Sequence, residues 1–118
     1  MSHYVDGFLI PIKKKNLRKY KKMATMGKKA WMKHGALDYY ECVADKIDLP
    51  YGIPFKKLCK LKPDETLIFA YIVYKNKAHR NKVNKKVQDE FNKLPTPMEE
   101  LFDMKRFSAG MFKTIVRA

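Results

Sequence analysis

The stretch TLIFAYIVY, residues 66–74, is the strongest β-strand signal in the chain. Successive side chains of a strand point to opposite faces of its sheet. Two apolar sets therefore alternate along it, namely Leu67, Phe69, Tyr71 and Val73, and then Ile68, Ala70 and Ile72. Because neither set contains a charged residue, the stretch predicts an interior strand that needs packing on both of its faces.

Strands and helices alternate on either side of this stretch. Residues 4–12 and 36–44 predict strands, and a last strand is predicted at 106–116, after the proline-marked segment 95–104. Apolar residues spaced by three and four positions predict a helix between an N-cap at Asn16 and a stop at Gly35. Its buried stripe is Leu17, Tyr20, Ala24, Gly27, Trp31 and His34. A second helix is predicted from about residue 77 to 94, with Val83, Val87, Phe91 and Leu94 on its apolar face.

The predicted order of elements is βαββαβ, which is the order of the ferredoxin-like α+β fold. That fold has a four-stranded antiparallel sheet with two helices on one face, and we expect residues 1–118 to form one such domain. The helices cover only one face, although the strands carry apolar residues on both. A second copy of the sheet would cover the other face, so the sequence predicts a homodimer.

Four motifs resemble one known family over nearly the whole chain. They are YVDGF at 4–8, HGALxYxEC at 34–42, DETxxFxxIVYxxxAHRxxVNxKV at 64–87 and FDxKR at 102–106. The chain resembles the bacterial family called domain of unknown function 1428. The resemblance implies a dimeric α/β barrel, in a superfamily that also holds small monooxygenases, isomerases and chlorite-dismutase-like proteins. It implies no particular reaction, since the family has no established one.

The cavity of such a barrel would be the site of chemistry, and few polar residues are candidates for it. Asp6 and Glu41 are acidic residues within apolar strands, and His79 lies near the start of the second helix. Each is a candidate general base. The competing interpretation is that both carboxylates face solvent or pair with Lys or Arg. Glu41 shares its strand face with Leu37, Tyr39 and Val43, which favours an inward side chain.

Candidate ligand-binding residues are Trp31, Tyr71, Arg80 and Asn84. Arg80 and Asn84 follow His79 on one helix, where they would recognise an anionic or carbonyl group. The superfamily's cofactor-independent monooxygenases use Trp, Asn and aromatic groups to hold an oxidisable substrate, and Trp31 with Tyr71 and Asn84 resembles such a set. A tryptophan at this helical spacing is more often part of the core.

Metal and cofactor motifs are missing from the sequence. Its three histidines show no HxH, HxxxH or HExxH spacing, and its five glycines form no phosphate-binding loop. We therefore expect no metal and no cofactor. Cys59 lies in the basic stretch KKLCKLK, where neighbouring lysines could lower the pKa of its thiol and make it reactive. The favoured interpretation is a surface thiol without a catalytic role.

The chain is strongly basic, with 26 Lys and Arg against 12 Asp and Glu and a formal charge of +14. The first predicted helix carries no acidic residue. An alternative function is therefore a non-catalytic module that binds RNA or DNA through its charge and without sequence specificity. The candidate contacts are Lys14, Arg18, Lys21, Lys22, Lys28 and Lys29. A host that favours lysine would produce the same surface.

No apolar run approaches the roughly 20 residues that span a bilayer, and no signal peptide is recognisable at the start. We therefore expect a cytoplasmic protein with reduced cysteines and no membrane partner. The leading functional hypothesis is small-molecule binding, or a cofactor-independent oxidative activity, in the barrel cavity. Whether the protein is an enzyme stays open at this point.

Overall fold

The strand predicted at residues 66–74 lies in the interior of a four-stranded antiparallel sheet. The computed structural model describes residues 3–95 and 101–118. Its strands are β1 (Tyr4–Lys13), β2 (Asp38–Val43), β3 (Glu65–Tyr74) and β4 (Ser108–Lys113), and its helices are α1 (Leu17–Lys33), α2 (Phe55–Leu58) and α3 (Lys77–Asn92). The order across the sheet is β2-β3-β1-β4. The predicted βαββαβ order is confirmed, with the short helix α2 added in the long connection before β3.

The two faces of β3 have different environments. Side chains of even-numbered residues point toward the helices, and Ile68, Ala70 and Ile72 are at most 5% exposed. On the opposite face Leu67 is buried, but Phe69 is 47% exposed. The assignment of residues to faces is thus confirmed, whereas the expected cover on the second face is incomplete in a single chain.

Helix α1 buries Tyr20 and Gly27 of the predicted stripe, and it also buries Ala30, which the stripe did not include. Asn16 stands at the N-cap position, but its side chain makes no capping hydrogen bond. The predicted cap is wrong because Asn16 belongs to a 3-10 turn, Lys14–Asn16, and has helical backbone angles. Gly35 does end the helix, with a φ of +112° that favours glycine.

Three other elements are shorter than predicted, the last strand by about half. The second strand occupies 38–43 instead of 36–44, the long second helix ends at Asn92, and the last strand occupies 108–113. Of the proline-marked segment, residues 96–100 lie outside the described part of the chain. Within 3–95 and 101–118, no helix is both long and apolar enough to cross a bilayer.

A buried ion pair fixes the segment that leads into β4. Arg106 donates two hydrogen bonds of 2.6 Å to the carboxylate of Glu65, whose side chain is 4% exposed. Arg106 also bonds Asp103 at 3.1 Å, and the backbone N–H of Lys62 donates to Glu65 at 2.8 Å. Hydrogen bonding to Arg106 lowers the pKa of Glu65 to about 2. The FDxKR and DET motifs therefore meet at one structural contact.

This ion pair predicts a specific acid sensitivity. The pKa of Glu65 is about 2 in the folded protein and 4.5 ordinarily. The ionised carboxylate therefore contributes fully to the free energy of unfolding above pH 4.5, and this contribution is lost as the pH falls toward 2. Arg106→Met should remove this part of the pH dependence and cost about 3 kcal/mol at neutral pH, because Glu65 stays buried without its cation. Urea unfolding at several pH values measures both effects.

The matched control is Lys105→Met, which removes the same charge from an exposed neighbouring position. It should leave both the stability and its pH profile close to those of the wild type. Equal slopes for the wild type and Arg106→Met between pH 4.5 and 2 would contradict this account of Glu65.

Candidate functional site

A cavity of about 320 Å³ lies between the sheet and the long helices α1 and α3. Its floor comes from the helix-facing residues of β1, β2 and β3, while Phe102 and Phe107 close the side next to β4. The walls are mostly apolar and aromatic. The polar lining consists of two separate groups, one centred on Asp6 and one on Glu41.

The first group joins β1, β3 and α3. Arg80 on α3 places Nε 3.0 and 3.1 Å from the two carboxylate oxygens of Asp6, which is 3% exposed. Tyr74 donates its hydroxyl hydrogen to Asp6 at 3.2 Å and accepts a hydrogen bond from Asn84 at 3.0 Å. Burial raises the pKa of Tyr74 to about 12, so this hydroxyl stays a donor at neutral pH. Asp6 is thus neutralised by a neighbouring cation.

The second group joins β2 to α1. Glu41 accepts a short hydrogen bond from the hydroxyl of Tyr20 and another, 2.6 Å long, from the hydroxyl of Tyr39. Tyr20 is 4% exposed, and burial, followed by the contact with Glu41, raises the pKa of both tyrosines. Both phenols therefore remain protonated donors. In the described part of the chain Glu41 forms no ion pair.

A glycine allows β2 and α1 to approach closely at this point. A Cβ atom added at Gly27 would lie 2.9 Å from the hydroxyl oxygen of Tyr39, closer than real Cβ contacts. The Tyr39 ring also lies 5.9 Å from that of Trp31. Glycine at this position in α1 is thus needed for the hydrogen bond between Tyr39 and Glu41.

Trp31 lines the cavity and also packs against the core. Its position is therefore compatible both with ligand binding and with a purely structural role. Its ring centroid is 6.0 Å from that of Phe91. The indole N–H is buried and completes no hydrogen bond with a described residue. It lies near enough to the Tyr74 hydroxyl to offset a small part of the rise in the pKa of Tyr74. Trp31 is therefore placed by packing more than by polar contacts.

His79 does not line the cavity. Its Nδ1 accepts a hydrogen bond from the backbone N–H of Lys75 at 3.0 Å, while Asn76 caps α3 by accepting from the His79 backbone N–H at 2.8 Å. On its other side the ring faces the backbone of Gly35. Burial, followed by the charge of Lys75, lowers the pKa of His79. The imidazole thus connects the end of α1 to the start of α3 in its neutral form.

Tyr71 lies on the opposite face of the sheet from Trp31 and Asn84. Its ring stacks on that of Tyr40, with centroids 5.0 Å apart and an angle of 12° between the planes. The grouping of Tyr71 with Trp31 and Asn84 is therefore corrected. Of the predicted site residues, the structure brings together Asp6, Glu41, Trp31, Arg80 and Asn84 around one cavity.

All four sequence motifs contribute to this cavity, the FDxKR motif through Phe102. YVDGF supplies Asp6, HGALxYxEC supplies Tyr39 and Glu41, and the long central motif supplies Arg80 and Asn84. A family described as "Protein of unknown function (DUF1428)" matches residues 3–104. The chain belongs to this family. The predicted membership is thereby confirmed.

Relatives of the family agree with this assignment. The chain is 30% identical to "Uncharacterized protein YbaA" of Escherichia coli strain K12 over 115 residues, which cover 96% of this chain and 97% of the relative. The same values hold for YbaA of Shigella flexneri. A crystal structure described as a dimeric ferredoxin-like protein from an uncultured marine organism has a TM-score of 0.63 at 11% identity and covers 100% of both chains. This DUF1428 chain therefore has a ferredoxin-like fold.

The sequence analysis did not identify the tyrosines that hold the two carboxylates. Tyr39 and Tyr74 both lie within the family motifs, which was the available signal for them. Tyr20 was recognised only as part of the buried stripe of α1, since a helical spacing does not show what a hydroxyl will contact. In 3–95 and 101–118, no group of three His, Cys, Asp or Glu side chains is arranged to hold a metal ion.

All six basic residues proposed for nucleic-acid contact are exposed. They lie on the 3-10 turn and on α1, on the side away from the cavity: Lys14, Arg18, Lys21, Lys22, Lys28 and Lys29. Nucleic-acid binding through these residues stays a prediction. The surface position expected for Cys59 is corrected, because the residue is 9% exposed. Burial raises the pKa of its thiol, which also opposes the alternative of a reactive cysteine.

The close contact between α1 and Tyr39 predicts an unusual effect of alanine. A Gly→Ala change within a helix normally stabilises a protein by about 1 kcal/mol. Gly27→Ala should instead destabilise this protein by about 1–2 kcal/mol, because the new methyl group displaces the Tyr39 hydroxyl from Glu41. Urea unfolding measures the change.

Tyr39→Phe provides the matched background, since it removes the oxygen that the methyl group would meet. In that background Gly27→Ala should be neutral or stabilising, so that the double-mutant cycle shows coupling of at least about 1 kcal/mol. Additive effects of the two changes would disprove the proposed contact.

Proposed function

We propose that the protein binds a small, largely apolar molecule in the cavity between the sheet and the helices. The observation that carries this proposal is the cavity itself, whose volume of about 320 Å³ is at the lower end of the range of ligand sites. Such sites typically have apolar and aromatic walls with a few fixed polar groups. Here the fixed groups are those centred on Asp6 and Glu41.

The arrangement supports binding more directly than proton transfer. Asp6 is engaged by Arg80 and Tyr74, and Glu41 by two phenols. Hydrogen bonds from such donors stabilise the charged form of a carboxylate and so weaken it as a base toward a substrate. The cofactor-independent oxidation considered from the resemblance, with Asp6, Glu41 or His79 as base, stays a prediction.

A side chain that fills the cavity tests this proposal. Ala24 on α1 lines the cavity, so Ala24→Phe should occupy part of its volume and weaken binding of the neutral fluorophore phenylnaphthylamine at least tenfold. Fluorescence titration measures the affinity, because emission rises when this probe leaves water.

Met26→Phe is the matched control, since Met26 lies on the same helix and is 48% exposed outside the cavity. It should bind the probe like the wild type. Equal affinities of the wild type and Ala24→Phe would show that the probe binds elsewhere, and no binding by the wild type would remove the support for a ligand cavity.

We also propose that two copies associate through the sheet face that the helices leave open. Three cross-strand rows form this face: Phe112, Val5, Val73 and Asp38; Gly110, Gly7, Tyr71 and Tyr40; Ser108, Leu9, Phe69 and Cys42. Phe69, Tyr40 and Phe112 are 47–59% exposed, which leaves a large apolar surface without cover. The structural neighbour described as dimeric and ferredoxin-like supports this proposal.

Charge favours this face over the others. Within the three rows, Asp38 is the one charged residue, although the chain carries 26 Lys and Arg. Two copies with a formal charge of +14 each repel one another, so association is least unfavourable where lysine is missing. The open face is therefore the surface best suited to a second copy of the chain.

A charge placed on this face should separate the proposed dimer. Phe69→Glu puts a carboxylate on the inner strand β3 within this face, where association of two copies would desolvate it. Size-exclusion chromatography with light scattering should show a dimer of about twice 13.9 kDa for the wild type and a monomer for Phe69→Glu.

The control is Lys28→Glu, which alters the charge on the exposed side of α1 and should leave the dimer intact. A wild type that remains monomeric at high micromolar concentration would exclude association through this face.

A cytoplasmic location completes the proposal. Cys42 and Cys59 are both free, as expected for a protein in a reducing compartment. Cys42 is exposed on the open face, where an oxidising environment would leave its thiol open to reaction.

A further inference from the structure

Glu41 is a carboxylate of the cavity lining that has no ion-pair partner in the described part of the chain. It accepts hydrogen bonds from Tyr20 and Tyr39. The other charged residues of the lining, Asp6 and Arg80, neutralise each other. The cavity therefore carries one net negative charge, although the chain as a whole is strongly positive.

Phenolic hydrogen bonds stabilise this carboxylate only in part. They satisfy some of its acceptor capacity, but they supply no opposite charge, and a partly buried carboxylate such as Glu41 still gains from a cation placed beside it. Each carboxylate oxygen has two acceptor sites. With one hydroxyl donating to each oxygen, Glu41 keeps acceptor capacity for a further donor.

The walls around Glu41 are also suited to a cation. Phe102 lies in edge contact with Tyr20, at a centroid distance of 6.3 Å, and Trp31 lies beside Tyr39. Both rings line the cavity. Aromatic faces carry negative electrostatic potential and attract ammonium groups, most strongly where water is excluded.

We propose that the ligand of this cavity is an organic amine in its protonated form, with its ammonium group at Glu41 and its apolar part against the aromatic walls. This assignment rests on the proposed function of the cavity as a ligand site. An anionic ligand would meet Glu41 and would find Arg80 already engaged by Asp6. A neutral alcohol would hydrogen-bond to Glu41 but would leave its charge unpaired.

The surface charge of the protein opposes the approach of such a ligand. This repulsion is screened by salt beyond a Debye length of about 8 Å, whereas a contact inside the cavity is screened much less. The affinity for an amine should therefore hold or rise as salt is added. An amine bound to an exposed carboxylate would lose affinity under the same change.

Three ligands of similar shape and different charge test the assignment: phenethylamine, phenylethanol and phenylacetate. Isothermal titration of the wild-type protein at neutral pH should show phenethylamine binding at least about tenfold more tightly than phenylethanol, with phenylacetate weakest. Glu41→Gln should reduce the affinity for phenethylamine about tenfold and change that for phenylethanol less than twofold.

The matched control is Asp38→Asn, which removes a carboxylate from the same strand but from the open face. It changes the net charge of the protein by the same amount and should leave the preference for the amine intact. If Glu41→Gln does not fold, the affinity of the wild type for phenethyltrimethylammonium is measured instead. This ion has no N–H, so binding more tightly than phenylethanol would show that charge is recognised.

The possible results separate the two proposals. If phenylethanol or phenylacetate binds the wild type as tightly as phenethylamine, or if added salt weakens the binding of phenethylamine, the amine assignment is overturned while the cavity remains a ligand site. If phenylnaphthylamine and all three test ligands fail to bind, the proposed function itself is overturned.

Discussion

The arrangement of the cavity depends on the ion pair between Asp6 on the inner strand β1 and Arg80 on α3. A carboxylate that is 3% exposed in a sheet is costly unless a cation reaches it, and Arg80 does so with its Nε close to both oxygens. This contact orients α3 against the sheet and holds Tyr74 and Asn84 in one network. Because Asp6 balances the charge of Arg80, Glu41 is the carboxylate of the cavity lining that lacks an ion-pair partner among the described residues.

Much of the fold could be predicted from local patterns, because those patterns have local causes. Alternation along residues 66–74 identified an interior strand and divided its side chains correctly between two faces. Spacing of three and four identified α1 and its buried stripe. The cap at Asn16 could not be predicted in the same way, because a preceding 3-10 turn changes the backbone on which a cap depends.

The candidate site was predictable only in part, for a different physical reason. The apolar neighbours of Glu41 on one strand face favoured an inward direction without deciding it, and its partner Tyr20 is separated from it by 21 positions. Asp6 and Arg80 are separated by 74 positions, so their pairing depends on the complete topology. Tyr71 differs from both, since strand alternation placed it with Phe69 and Val73, and the structure shows that this face lies away from Trp31.

The inner strands β1 and β3 are shared walls. Along β1, Asp6 and Phe8 line the cavity, while Gly7 and Leu9 between them face the open side of the sheet. A single layer of backbone therefore separates the two surfaces, and a shift of either strand moves both. Occupancy of the cavity and association of two chains would be thermodynamically linked through this layer, so that each would change the apparent affinity of the other without any direct contact.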